Sequence, residues 1–171
     1  MPTRKKGFSL LEMLVVVLML GILVSIALPN YRKAVERTRV GEALTLLHAI
    51  YDSCERYAWE RVEFDSCGAA IQFAKANPNY NKAIKFSKLA VLAKGTFAGG
   101  GLTLKTANFD YTLDYVNSNS TPVAVLSATA TRGAYTGASV LYNGQEFTCV
   151  AGETSEAAEA CARWGSSTWN Q

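Results

Sequence analysis

The chain has 171 residues, 49% of them apolar and 18% charged, with a formal net charge of +3. That is room for one domain plus an anchor, with fewer charges than a typical soluble domain carries. Arg4, Lys5 and Lys6 sit in the first seven residues, and taking them from the 17 basic residues leaves 14 against 14 acidic ones, which excludes a general electrostatic attraction for nucleic acid.

After that basic leader, residues 8–28 form an apolar run whose one charge is Glu12. About 21 residues at about 1.5 Å each span about 30 Å, the thickness of a bilayer core. A carboxylate at the centre of such a segment costs about 2.5–3.5 kcal/mol, and less toward its edge. Glu12 therefore needs a partner. The basic leader predicts a cytoplasmic N-terminus, with everything after Leu28 exported.

Gly7-Phe8-Ser9-Leu10-Leu11-Glu12 resembles the processing site of type IV prepilins and the related pseudopilins. The resemblance implies a dedicated membrane peptidase that cuts between Gly7 and Phe8 and N-methylates Phe8. It also implies an assembly role for Glu12, and Gly21 and Pro29 fall where family members carry a glycine and a proline. Two other readings compete: a secretory signal cut after Ala27, at Ser25-Ile26-Ala27, and an uncut anchor. Against the signal stand an apolar region longer than the usual 7–15 residues or so and the glutamate within it.

From Pro29 to about residue 60 the pattern becomes one-sided. Val40, Leu44, Leu47, Tyr51, Cys54 and Ala58 recur at helical spacing, beside Ala43 and Ile50. Arg37, Arg39, Glu42, Thr45, Asp52, Glu55 and Arg56 lie opposite, so this half of the helix has one stripe to bury. Pro29 removes a helical hydrogen bond and Gly21 weakens the helix locally, by about 1 kcal/mol relative to alanine. They predict either a segment that unwinds during assembly or a simple kink at the membrane surface. His48, the one histidine, sits at the stripe's edge as a packing residue.

Residues 61–101 read as a connector with helical pieces at 69–76 and 82–93. Residues 102–150 read as an antiparallel sheet of about four strands: Leu102–Leu104, Phe109–Tyr115, Val123–Ala130 and a hairpin over Val140–Thr148 turning at Asn143-Gly144. Residues 151–171 read as a short helix closed by a disulfide. The predicted fold is α+β, a long N-terminal helix packed on that sheet with a disulfide-tied C-terminal loop, the layout of type IV pilins. Four cysteines, Cys54, Cys67, Cys149 and Cys161, allow three pairings in an exported domain. The local pairing, Cys54 with Cys67 and Cys149 with Cys161, is the expectation, and the second pair resembles the C-terminal loop disulfide of many type IV pilins.

The functional expectation is a structural subunit of a type IV pilus, serving adhesion, twitching motility or DNA uptake, with no enzymatic activity, cofactor or metal. Its partners would be copies of itself in a helical filament, the prepilin peptidase and methyltransferase, the inner-membrane assembly machinery and, before assembly, membrane lipid. It would sit as a single-pass inner-membrane protein and then in a surface pilus. The alternatives are a minor pilin or pseudopilin of a type II secretion system, and a signal-anchored binding module. Lys75, Lys82, Lys85, Lys88 and Lys94, interleaved with Phe73, Tyr80 and Phe86, raise DNA as a further ligand, set against a plain solvated lysine face.

Overall fold

The computed structural model describes residues 9–61, 63–133, 135–152 and 154–164. It divides into two compact units, one through Thr38 and one from Arg39 onward. The elements run α1 (Leu10–Trp59), α2 (Cys67–Ala76), β1 (Thr96–Ala98), β2 (Thr103–Lys105), β3 (Phe109–Ser118), β4 (Thr121–Ala130), β5 (Ser139–Tyr142), β6 (Phe147–Val150) and α3 (Ser155–Trp164).

The first unit is helical. The carbonyl of Ser9 accepts from the N–H groups of Glu12 (3.1 Å) and Met13 (3.3 Å), closing the first turn. Residues 9–34 are all exposed, including every large apolar side chain from Leu10 to Leu28. The helix is long and apolar enough to cross a membrane. It runs through Pro29, although proline cannot donate to the carbonyl one turn back. Two polar side chains bond back to carbonyls of the same stretch: Ser25 Oγ donates to the Ile22 carbonyl (2.8 Å) and Asn30 Nδ2 to that of Ile26 (3.4 Å).

In the second unit α1 buries the predicted stripe. Val40, Ala43, Leu47, Ile50, Cys54, Tyr57 and Ala58 are buried, with Leu44 and Tyr51 half-buried on its flank. Their partner is one face of an antiparallel meander in which β1 to β6 lie in sequence order. Period-two alternation points Phe109, Tyr111 and Leu113 of β3 into the core, with Ala124, Leu126, Ala128 and Ala130 of β4. The β3–β4 pair is the spine of the sheet, in register from Phe109↔Ala130 to Ser118↔Thr121. Its two-residue turn holds Asn119 and Ser120 at φ of 49° and 68°, the positive values that match the twist of a tight hairpin.

The sheet has six strands rather than about four. The strand missing from the sequence reading is β1, which pairs with β2 from Thr96↔Lys105 to Ala98↔Thr103. Three residues are too few to show a period of two, and Gly95 and Gly99 on either side read as loop. The last hairpin also differs, because a four-residue loop joins Tyr142 and Phe147, which face each other. Asn143 Oδ1 accepts from the N–H groups of Gln145 (3.0 Å) and Glu146 (2.9 Å), so the asparagine builds the turn with its side chain rather than with its own positive φ.

The expected helix over 82–93 does not form; only a single 3₁₀ turn, Phe86–Lys88, remains. Ile84, Phe86 and Leu89 are buried at uneven spacing, which an α-helix cannot satisfy against one surface. Side chains satisfy the backbone instead. Tyr57 OH donates to the Lys82 carbonyl (2.8 Å), Ser53 Oγ accepts from the Ala90 N–H (2.9 Å), and Lys88 Nζ donates to the carbonyls of Ala83 (2.9 Å) and Asn81. The other piece does form as α2, with Ser66 Oγ accepting from the Ala69 N–H as its cap (3.2 Å).

Two disulfides close the unit. Cys54 pairs with Cys67, both fully buried, joining α1 to the start of α2 across a Cα–Cα distance of 5.3 Å. Cys149 pairs with Cys161 across 5.2 Å and ties α3 to β6. Loops of this length are worth about 3 kcal/mol each in the chain-entropy model. Leu113, fully buried at the centre of β3, gives the core a direct test. Leu113→Ala should lower the unfolding free energy in urea by about 2–5 kcal/mol, whereas Val116→Ala, on the exposed part of the same strand, should change it by less than about 0.5 kcal/mol.

Candidate assembly site

Glu12 occupies the first turn of α1, where a carboxylate suits the helix dipole. It is exposed, and it is the one charge between Ser9 and Tyr31. Among the described residues it has no ion-pair partner. Gly7 and Phe8, the expected cleavage site, lie outside the described residues. Gly21 lies nine positions beyond Glu12, which at about 100° per residue puts the two on opposite faces of the helix. A methyl added at Gly21 would meet nothing within 4 Å, so no contact inside this chain calls for a glycine there. Pro29 is a further eight positions along. The three residues share a helix but form no cluster.

The lysines of the connector do not assemble into a stacking platform. Lys75 pairs with Asp114 and lies over the Tyr115 ring, 5.6 Å from its centre. Lys88 is spent on backbone carbonyls, and burial, then Arg61 and Lys85, hold its ammonium below the usual lysine range. Phe86 is 3% exposed, and Phe73 packs between Phe64 (5.4 Å, tilted) and Tyr80 (5.3 Å, edge-on). Lys82 and Lys94 remain on the surface. Among the described residues no group of three or more His, Cys, Asp or Glu side chains could hold an ion.

One cluster escaped the sequence reading. His48 packs on Tyr142 (4.4 Å) and Phe147 (5.0 Å), those two rings stack on each other (4.4 Å), and Tyr51 meets Tyr142 edge-on (5.4 Å). A side chain at Gly144 (φ 92°) would collide with the Tyr51 ring, so this glycine lets the hairpin loop close onto α1. The one available signal was the pair of aromatic residues bracketing Asn143-Gly144-Gln145-Glu146. Burial, aided by Glu55, pushes the Tyr51 phenol up to about 12, while burial also raises Tyr111 and Tyr142. A raised acid keeps its neutral form in the fold, so this stability is complete below pH 10 and drains away as pH climbs toward 12. Unfolding midpoints measured across that window should fall, and Tyr51→Phe should shallow the decline.

The prokaryotic N-terminal methylation motif matches residues 2–28. The type IV major pilin protein PilA of Myxococcus xanthus is 36% identical over 76 residues, covering 44% of this chain and 34% of that protein. A fimbrial protein of Neisseria meningitidis is 28% identical over 117 residues, 55% of this chain and 69% of the relative. A fimbrial protein of Moraxella nonliquefaciens is 43% identical over 49 residues, 29% of this chain and 32% of the relative. The chain thus spans only about a third of the length of the first and last of these. No solved structure gives a significant match. In the methylation motif over the apolar run that bears Glu12, and over the stretches shared with these relatives, the chain is similar to type IV prepilins.

Proposed function

We propose that the chain is a structural subunit of a type IV pilus, held in the membrane as a precursor and moved into a surface filament after its leader is removed. The observation that carries this is Glu12: a carboxylate on an exposed apolar helix, without an ion-pair partner among the described residues of its own chain. Cleavage between Gly7 and Phe8 would release an α-amine one turn before it. In a bundle of such helices that amine, on a neighbouring copy, is the natural counter-charge. Both charges are costly in a greasy surrounding, and pairing relieves much of the cost. Any other axial offset leaves them unmatched, so the pair selects the stagger between subunits.

Gly21 and Pro29 would serve the same transfer, allowing the apolar half to bend where lipid gives way to packed helices. The relatives' names favour a pilus over a secretion pseudopilin. The role is mechanical, without catalysis.

Two measurements test the reading. Mass spectrometry of sheared surface fibres should find a mature N-terminus at Phe8 carrying one methyl group. An N-terminus at Met1 or Leu28 would overturn the processing. Glu12→Ala should give processed subunits that remain in the membrane. Removing one member of a buried pair costs about 3–5 kcal/mol, more than about a hundredfold in association, so fibres should vanish from electron micrographs.

A further inference from the structure

Just past the apolar run, still within the first unit, α1 carries Tyr31, Arg32, Lys33 and Arg37, all exposed, with Glu36 as the one acid among them. Arg32, Lys33, Glu36 and Arg37 fall within one arc of about 140° on the helix, and Tyr31, 68% exposed, lies at the same level on the opposite face. The leader has three basic residues, and the side beyond the span has four within eleven positions of Leu28, Arg32, Lys33, Arg37 and Arg39. A rule that counts Lys and Arg on each side of a span therefore gives the leader no advantage, and the cytoplasmic leader stays part of the precursor proposed above. In the precursor proposed above, once the leader is removed, the basic side chains next to the span would all lie on the exported side.

We infer that this flank is a binding site for anionic phospholipid headgroups at the exported face of the membrane; the inference rests on the membrane-held precursor proposed above. Three cations and an amphipathic tyrosine at the end of a span match that interface in charge and polarity. The spacing adds a second reason. Arg32 lies 20 residues beyond Glu12 on an uninterrupted helix, about 30 Å, equal to the hydrocarbon thickness. With Arg32 and Lys33 held among exported headgroups, Glu12 comes to rest at the opposite boundary. There its carboxylate escapes the full cost of the bilayer centre and stays level with the site where its counter-charge is made. The basic flank sets the depth of the acid.

The processed full chain, reconstituted in phosphatidylcholine vesicles, can be probed by electron paramagnetic resonance with spin-labelled phosphatidylglycerol or phosphatidylcholine. The motionally restricted fraction should report about fivefold tighter association of the anionic lipid at low salt. This preference should fall to near unity at about 1 M salt and in the Arg32→Gln/Lys33→Gln/Arg37→Gln variant, while millimolar inorganic phosphate should leave it unchanged. A chain that inserts but shows equal association of both lipids overturns the inference, as does a preference that survives the triple substitution. Competition by inorganic phosphate would reassign the flank to soluble anions, and would likewise overturn it. Failure to sediment with the vesicles after alkaline carbonate washing would instead overturn the membrane-held precursor itself.

Discussion

A single carboxylate in an otherwise apolar stretch of helix sets the terms for this protein. Glu12 cannot be neutral in its effect wherever that helix goes. In lipid it resists burial, and among other helices it demands a cation. The apolar part of the first unit is permissive by comparison. The apolar side chains would pack against lipid tails or against each other with little preference, since dispersion carries no register. In the filament proposed above, the acid would supply the direction and spacing that grease lacks.

The second unit solves a different problem, which is how a half-apolar helix becomes water-compatible. Its stripe is covered by the inner face of the meander, whose spine is the long β3–β4 pair. The connector lies over the core without regular structure and borrows hydrogen bonds from Ser53, Tyr57 and Lys88. Such irregular backbone survives against a core because each of those polar groups has a named partner. The aromatic seam of His48, Tyr51, Tyr142 and Phe147 fastens the last hairpin to the same helix.

Legibility in the sequence followed the strength of local periodicity. The stripe from Val40 to Ala58 and the alternation from Phe109 to Tyr115 extend over enough residues to declare their period, and both faces fall where the pattern puts them. Strand β1 has three residues between glycines, too few to declare a period, and owes its existence to pairing with the equally short β2 across the Gly99–Gly101 turn. Residues 82–93 carry helix-forming side chains, yet tertiary hydrogen bonds to α1 outweigh that propensity. Glu12 was conspicuous because a charge in an apolar run is improbable without a cause. The basic flank at Arg32 to Arg37 was harder to weigh, since its meaning depends on a length measured along an unbroken helix rather than on composition.

The two bridges described above have a bearing on how the chain acquires its shape. Each joins cysteines only 13 or 12 positions apart, while any exchange of partners would have to close a far longer loop. Short loops meet sooner and at lower entropic cost, so a polypeptide oxidised as it emerges finds its native cross-links by proximity alone. In a chain exported from its N-terminal end, Cys54 and Cys67 would both be available long before Cys149. Oxidation thereby proceeds in the order of emergence, and the helix is tied to its neighbour before the sheet that will cover it has arrived.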